Sequence, residues 1–418
     1  MIKQITLLSA ALMLGTTTFA QNVTKRSCAS HQIHLNQLST NTGYAERVAK
    51  HNKVEGNPEA GKKTAALTVY TIPVVVHVIH NGETVGSGQN ISDAQINSAI
   101  TALNNDFRKI NADTLSPSHA FYSLQADIGM EFCLAKRDPS DQSTTGIMRY
   151  NKGQAAWTVN DFDATVKPST AWDRTKYMNI WITSFAAPDD QTLGYATFPG
   201  TNTVQDGVVI GATFFGTEGN VSLGFDKNRT ATHEVGHYFN LSHIWGDATC
   251  GDDLVADTPT QEQDNSGCPS FPHNANSSCN PGANGEMYMN YMDYVDDACM
   301  SMFSIGQRDR MRTALLGDRV SLTTSNGCAV VTNSKEVNPA LVKVYPNPAN
   351  AIVNVNLPTG FNLSSAIIYD TNGNTALTMN GKSENNLTIN TSSLANGNYI
   401  LKLVGENGIV NKELIIIQ

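Results

Sequence analysis

The feature that most constrains this chain is the stretch HEVGHYFNLSH at positions 233–243. His233 and His237 are four residues apart and share one face if the stretch is helical. His243 cannot reach the same point on a continuous helix, because it lies farther along the axis, at about 1.5 Å per residue, and on another side. The helix must therefore stop and the chain must turn. We expect Asn240 to make this turn in the left-handed conformation, which asparagine adopts more readily than most residues.

Three histidines at this spacing are typical of a catalytic zinc site, in which a fourth position stays open for water. Glu234 follows the first histidine, where its carboxylate is placed to act as general base and acid. The alternative is a helix whose histidines are ordinary core or surface residues. The fixed spacing of three histidines and one glutamate, on a segment of helical pattern that follows a predicted strand, disfavours that alternative.

The charge and the N-terminus restrict the partners and the compartment. The chain of 418 residues has a net charge of −9 and no cluster of lysine and arginine, which argues against binding to nucleic acids. Residues 1–20 combine a short basic start, an apolar run and a final small residue, which indicates a secretory signal peptide. The apolar run is shorter than the roughly 20 residues that cross a membrane. We therefore expect an exported protein without a transmembrane segment.

Composition and periodicity divide the rest of the chain. Residues 21–63 are polar and lack a sustained pattern, so we interpret them as a propeptide, called the leader below. Residues 64–328 alternate between apolar strands and amphipathic helices, which predicts an α/β (α+β) catalytic domain. The predicted strands are 70–79, 130–134, 178–182 and 206–210, the last at the edge of the sheet, and the predicted helices are 92–107, 229–240 and 305–316. Capping boxes begin the first and last helices.

A linker at 329–340 precedes a C-terminal segment of different character, residues 341–418. Its short strands alternate apolar and polar residues, and four Asn-Gly pairs favour tight hairpin turns. This pattern predicts a small all-β sandwich without a catalytic constellation.

The chain has seven cysteines, and four of them follow the histidine motif within a stretch rich in loops. Disulfides are expected in an exported protein, and a loop-rich stretch gains most from them. Because the count is odd, at least one thiol is left over if the rest pair internally. Cys28, isolated near the start of the leader, is our candidate.

Two longer strings resemble a known family. Downstream of the histidines, the segment NYMDYVDDAC at 290–299 places Met292 where metzincin proteases carry a methionine turn. Together with HEVGHYFNLSHIWGD at 233–247, this segment is similar to the pappalysin (M43-type) family of metzincins, and in particular to its bacterial branch of ulilysin and mirolysin type. The resemblance covers roughly residues 70–328. It implies a metzincin-like domain with a twisted mixed β-sheet and an active-site helix.

The resemblance also implies roles for single residues. Zinc would be bound by His233, His237 and His243, with Glu234 as general base and acid. Met292 would form the apolar floor under the metal, a role close to that of an ordinary core methionine. Tyr294 would donate a hydrogen bond to the oxyanion of the tetrahedral intermediate, and the alternative is a buried structural tyrosine.

Disulfides and calcium follow from the same resemblance. It implies the pairs Cys250–Cys279 and Cys268–Cys299, and it leaves open whether Cys133 and Cys328 pair with each other. The family binds calcium in the loop that follows the histidine motif, and matching oxygen donors are present here. They are Asp253, Asp257 and Thr258. The alternative is a solvated acidic loop.

Substrate preference and latency are two further implications. In the family an acidic residue near Asp296 and Asp297 lines the pocket after the scissile bond, which would favour cleavage before Arg or Lys. The alternative is that both aspartates face solvent. Cys28 would bind the metal and keep the enzyme latent, whereas a stray thiol or an intermolecular disulfide is the competing reading. His31 and His34 are weaker competitors for that role. With this preference, a cut at Gly61–Lys62 or Lys62–Lys63 would be self-processing.

The C-terminal segment resembles the sorting domain of the type IX secretion system, on its YPNP start at 345–348 and its LANGNY stretch at 394–399. A carbohydrate- or protein-binding sandwich is the competing interpretation. The chain as a whole is then expected to be a secreted zinc metalloendopeptidase that acts on protein or peptide substrates. An inactive, zinc-stabilised adhesin and a hydrolase of other bonds are the alternatives.

Overall fold

The computed structural model describes residues 25–52, 67–201, 203–331, 338–358, 361–380, 386–405 and 408–418. The chain divides into two compact units, Met1–Val330 and Val331–Gln418. The predicted signal peptide, both predicted leader cuts and the middle of the predicted linker lie outside the described residues. Among the described helices, none has the length and apolar character needed to cross a membrane.

The first unit begins with the leader. Its described part is an extended stretch followed by two helices, α1 (Ser30–Thr40) and α2 (Thr42–Asn52). The later helices are α3 (Asp93–Phe107), α4 (Val159–Asp161), α5 (Lys167–Thr170), α6 (Arg229–Tyr238) and α7 (Ile305–Leu316). Ser92 accepts a hydrogen bond from the Gln95 amide at the start of α3. The capping box predicted at Ser304 and Gln307 is present at the start of α7.

A mixed sheet forms the centre of this unit, and it confirms the predicted fold class. Its strands are β1 (Tyr70–His80), β2 (Met130–Leu134), β3 (Ile147–Asn151), β4 (Met178–Thr183), β5 (Gly194–Ala196) and β6 (Val208–Gly211). The strand order is β2-β1-β4-β6-β5, with β3 also paired to β1. All pairs are parallel except β5 with β6, which is antiparallel. Both faces of β1 are buried, which explains its almost continuous apolar sequence.

The predicted edge strand was wrong. Residues 206–210 were expected at the edge, but β6 lies between β4 and β5, and β5 forms the edge. Because β5 has only the three residues Gly194, Tyr195 and Ala196, it carries no alternating pattern that a sequence could reveal. This edge matters, because the leader pairs with it.

The second unit consists of two antiparallel sheets, as predicted for an all-β sandwich. Their strands are β7 (Lys343–Tyr345), β8 (Ile352–Asn356), β9 (Leu363–Tyr369), β10 (Thr375–Asn380), β11 (Asn386–Asn390), β12 (Gly397–Gly405) and β13 (Gly408–Ile416). The orders are β10-β9-β12-β13 and β11-β8-β7. One apolar cluster joins the two sheets, with Val353 and Ile389 from one and Ile368 and Leu401 from the other.

Candidate active site

The three histidines of the motif converge as the spacing predicts. His233 and His237 lie one turn apart on α6, and their Nε2 atoms are 3.1 Å apart. The helix ends at Tyr238, two residues earlier than predicted. Asn240 then has φ +76°, so the left-handed turn expected at this position is confirmed. The reversal brings Nε2 of His243 to 3.2 Å from Nε2 of His237.

Each imidazole is held by a partner at its other nitrogen. Nδ1 of His233 lies 2.8 Å from the Tyr291 carbonyl, and Nδ1 of His237 lies 2.7 Å from the Leu241 carbonyl. Nδ1 of His243 lies 2.5 Å from Oδ1 of Asp247. An acceptor at Nδ1 places the ring proton there, so all three Nε2 lone pairs face the common centre. Burial lowers the pKa of His233 and of His237 well below the usual range, which keeps both rings neutral, as ligands of a cation must be.

Met292 lies directly behind α6 and is fully buried. Gly236 permits this approach, since a Cβ there would come within 2.5 Å of the Met292 sulfur. The Met292 carbonyl also accepts a hydrogen bond from the Ile244 amide at 3.2 Å, next to His243. The methionine therefore supports both the helix and the returning chain.

Tyr294 and Trp245 form one wall of the site. The Tyr294 hydroxyl lies 3.2 Å from Nε2 of His243, and burial raises its pKa well above the usual range. Trp245 stacks on the His243 ring at 4.3 Å with an interplanar angle of 5° and meets the Tyr294 ring edge-on at 4.8 Å. Trp245 lies inside the motif string but carries no sequence signal of its own, because its stacking depends on the turn.

Cys28 of the leader completes the cluster. Its sulfur and one nitrogen of each of the three histidines all lie within 4.8 Å of one another. In the part of the chain that the structure describes, this is the one such group of potential ligands. The other two candidates from the leader bind elsewhere. His31 pairs with Oδ2 of Asp247 at 2.9 Å, and His34 contacts the Tyr44 hydroxyl at 2.6 Å.

Glu234 is buried beside this cluster. It accepts hydrogen bonds from the Ser30 hydroxyl at 2.8 Å and from the Cys28 thiol at 3.3 Å. Burial raises the pKa of Glu234 to about 7. Ser30 also accepts a hydrogen bond from the Ala196 amide at 2.8 Å. No local pattern marks Ser30, because the partners of its hydroxyl are more than 160 positions away.

The leader lies along the edge strand in parallel, with Cys28 bridged to Gly194. The Leu193 amide donates to the Ser27 carbonyl at 2.9 Å, and the Ala29 amide donates to the Gly194 carbonyl at 3.2 Å. The backbone groups that an edge strand leaves free for another chain are thus occupied by the leader.

Arg26 binds Asp297 in an enclosed pocket. Its Nη2 lies 2.5 Å from Oδ1 of Asp297, and its Nη1 donates to the Thr230 hydroxyl at 2.8 Å. The Phe225 ring lies 5.3 Å from the guanidinium carbon. Arg26 and Asp297 are 2% and 0% exposed, so this carboxylate does not face solvent. Asp296 is partly exposed, and its amide donates to the Gly267 carbonyl at 2.9 Å.

The proposed calcium donors are only partly brought together. Thr258 donates to both carboxylate oxygens of Asp253 at 2.9 Å. Asp257 instead accepts hydrogen bonds from the Ser304 hydroxyl at 2.6 Å and the Gly306 amide at 2.9 Å, at the start of α7. Asp257 thus bonds to the start of α7, whereas Asp253 and Thr258 bond to each other.

Three disulfides lie in the first unit. Cys250–Cys279 and Cys268–Cys299 are the pairs that the resemblance implies. Cys133 and Cys328, whose fate was open, form the third pair across 195 positions. Cys28 is a free thiol.

Comparison with known proteins agrees with this geometry. Residues 144–316 match the peptidase M43 family described as Pregnancy-associated plasma protein-A. An extracellular metalloprotease of Arthroderma benhamiae is 30% identical over 261 residues, which cover 61% of this chain and 80% of the relative. Mature mirolysin of Tannerella forsythia, in complex with a cleaved peptide, is 43% identical with a TM-score of 0.56, covering 62% of this chain and 97% of mirolysin. A promirolysin variant from the same organism is 38% identical with a TM-score of 0.62, covering 72% and 97%.

The C-terminal unit has a match of its own. Residues 343–418 match the secretion system C-terminal sorting domain. A sorting domain behind a metalloprotease domain, together with extracellular relatives, makes this a secreted protein. By sequence, structure and site geometry, the chain belongs to the pappalysin, or M43, family of metalloproteases.

Proposed function

We propose that the chain is a zinc endopeptidase made as a latent zymogen. The observation that carries the proposal is the convergence of three imidazoles, at 233, 237 and 243, on one point with the Cys28 sulfur. Three nitrogen donors and one exchangeable position are the ligand set of catalytic zinc sites. Zinc bound there would act as a Lewis acid that activates water and polarises the scissile carbonyl.

Glu234 would move the proton. A buried carboxyl with a pKa of about 7 can accept a proton from the attacking water and return it to the leaving amine near neutral pH. The Tyr294 hydroxyl, 3.2 Å from Nε2 of His243, is placed to donate a hydrogen bond to the oxyanion as it develops. In the latent chain this hydroxyl accepts a hydrogen bond from the Cys28 amide at 3.1 Å instead.

The leader would enforce latency at three points. The Cys28 sulfur, which lies among the three histidine nitrogens, would take the position that water requires. Ser30 bonds to Glu234, and the backbone around both residues covers the edge strand. Removal of the leader would release all three together. We place the activating cut at Gly61–Lys62 or Lys62–Lys63, on the sequence alone.

Preference for Arg or Lys after the scissile bond would come from Asp297. In the latent chain its carboxylate holds Arg26, beside the cluster of histidines. Removing the leader would leave a buried carboxylate that also accepts hydrogen bonds from the Lys227 and Arg229 amides at 2.9 and 3.1 Å. Such a preorganised negative group selects a cationic side chain of matching length. Asp296, whose backbone contacts the neighbouring loop, would contribute less.

Calcium would bind the loop that follows the histidine motif. Asp253 and Thr258 supply side-chain oxygens, and backbone carbonyls would supply the rest, as is usual for this ion. Burial raises the pKa of Asp253 to about 7, which a bound cation would reverse. Calcium should therefore raise the melting temperature of the mature enzyme, and the increment should vanish in Asp253→Asn.

The C-terminal unit would be recognised by the type IX secretion machinery, and the mature first unit would act on protein or peptide substrates. The test uses the mature enzyme with casein as substrate. We expect cleavage that a chelator abolishes and zinc restores, and no cleavage by Glu234→Ala. Zinc binding without proteolysis would support the inactive adhesin, and hydrolysis of other bonds alone would support a different hydrolase.

A further inference from the structure

The leader places two adjacent cations, not one, against acidic groups of the protease. Arg26 fills the pocket of Asp297, and the preceding residue, Lys25, pairs with a different carboxylate. Its Nζ lies 2.7 Å from Oδ2 of Asp264. Nothing in the histidine motif or in the methionine segment points to Asp264.

Asp264 belongs to a loop that is anchored rather than loose. The next residue, Asn265, donates from its amide and its side chain to Asp293, at 2.8 and 3.0 Å. Farther along the same loop, the Gly267 carbonyl accepts a hydrogen bond from the Asp296 amide at 2.9 Å. Asp264 is therefore held next to the segment that carries Asp297, and 22% of its side chain is exposed with the leader in place.

The position of Asp264 relative to the metal site defines a place in the substrate. Cys28 lies at the histidines, Arg26 in the pocket, and Lys25 one residue farther from the histidines. Consider a substrate whose first residue after the scissile bond fills the Asp297 pocket. Its second residue after that bond would then take the place of Lys25, next to Asp264. A substrate placed in this way would run in the direction opposite to the leader, because the leader passes from the pocket to the metal site.

We propose that Asp264 is a specificity-determining residue that selects a basic side chain at the second position after the scissile bond. The preferred substrates would then be chains with two adjacent basic residues directly after the cut. This inference rests on the proposed function and extends its preference for Arg or Lys. The sequence Gly61-Lys62-Lys63 in the leader belongs to this class, since a cut at Gly61–Lys62 places one lysine at each position.

The expected size of the preference at the second position follows from the solvent exposure of the ion pair between Lys25 and Asp264. The Lys25 side chain is 56% exposed, and an ion pair in such a setting contributes about a threefold to fivefold preference. This preference should weaken as salt rises, because exposed charges are screened. The pair of Arg26 with Asp297 is buried, so the preference at the first position should be larger and less sensitive to salt.

The experiment compares mature enzymes on matched fluorogenic peptides that differ only in the two residues after the cut. The pairs are Arg-Lys, Arg-Ala, Arg-Glu and Ala-Ala. The enzymes are the wild type, Asp264→Asn and Asp264→Lys, with Asp141→Asn as a matched control that removes an exposed carboxylate elsewhere. We expect the wild type and Asp141→Asn to cleave Arg-Lys about threefold to fivefold faster than Arg-Ala, by kcat/KM. Asp264→Asn should equalise the two, and Asp264→Lys should favour Arg-Glu.

Two outcomes separate this inference from the proposed function. If the wild type prefers Arg-Ala over Ala-Ala but Asp264→Asn slows Arg-Lys and Arg-Ala equally, the role of Asp264 is overturned and the pocket of Asp297 stands. If the wild type cleaves Arg-Ala and Ala-Ala equally well, the preference for a cation at the first position fails, and this inference fails with it. Equal melting temperatures of the variants show that folding is not the cause.

Discussion

The two units of this protein differ in what they bury. The first unit buries charged and polar side chains throughout, among them Glu234, Arg229 and Lys167. In the described part of the second unit, residues 338–418 with their gaps, Thr391 is the one buried polar side chain. Both units fold around apolar clusters. A stable fold therefore does not require buried charges here. Burying charges is costly, and they are concentrated in the unit that holds the candidate active site.

The buried ion pairs of the first unit hold the active-site helix. Arg229, at the start of α6, pairs with Asp106. At the other end, Nε of Arg319 donates to the Tyr238 carbonyl at 2.8 Å, and its guanidinium pairs with Asp206. Such pairs are costly to desolvate, so they are a poor way to gain stability. Their placement at both ends of α6 suits a role in fixing the direction of that helix.

The largest effect on activity should come from the base. Glu234→Gln keeps the size of the side chain but removes the proton acceptor. We expect kcat/KM of the mature enzyme to fall at least about 1,000-fold, with zinc content unchanged. Cleavage of a fluorogenic peptide and metal analysis measure the two quantities. Activity within tenfold of the wild type would contradict the role of Glu234.

The next effect should come from the pocket. Asp297→Asn removes a buried charge, and we expect the preference for Arg over Ala after the cut to fall about 10- to 100-fold. Asp296→Asn is the matched control, and it should change that preference less than about twofold because Asp296 is partly exposed. Peptide pairs cleaved by each variant give the ratios. A reversed order of the two variants would move the pocket to Asp296.

Latency should depend on the leader thiol. Cys28→Ala removes the sulfur from the cluster but leaves the pairing of Arg26 with Asp297. We expect the uncut chain to show about tenfold more peptide cleavage and to mature earlier. Ser27→Ala serves as the control, since its hydroxyl is one residue from the sulfur and its backbone contact with Leu193 is kept. Unchanged latency in Cys28→Ala would assign inhibition to the rest of the leader.

A smaller effect, on the stability of the first unit, should come from the contact between Gly236 of α6 and Met292. In Gly236→Ala, the new methyl group would meet the Met292 sulfur at 2.5 Å. Overpacking should destabilise the first unit by about 1–3 kcal/mol, offset in part by the helix propensity of alanine. Thermal unfolding measures the change. A more stable Gly236→Ala would show that Met292 is not pressed against α6.

The smallest effect on activity should come from the second unit. Leu401→Ala removes a fully buried side chain from its core and should destabilise that unit by about 2–5 kcal/mol. Cleavage by the secreted mature enzyme should be unchanged, whereas export of the full chain should fall. A fall in kcat/KM of the mature enzyme would contradict the division of labour between the units.

Local features of this molecule could be predicted from the sequence, and long-range ones could not. Helix α7 and the turn at Asn240 were predictable, because a capping box and a residue tolerant of positive φ act within a few positions. Asp257 accepts a hydrogen bond from Ser304 at the start of α7, a contact across 47 positions that no local pattern predicts. The edge strand β5 and the contacts of Ser30 and Lys25 likewise depend on which segments meet in the fold.

The most direct test is X-ray absorption at the zinc edge of the purified latent chain. We predict one zinc per chain with three nitrogen ligands at about 2.0–2.1 Å and one sulfur at about 2.3 Å. In Cys28→Ala the sulfur should be replaced by an oxygen while the three nitrogens remain. A zinc ion without a sulfur ligand in the latent chain would contradict this prediction. So would fewer than three nitrogen ligands in either form.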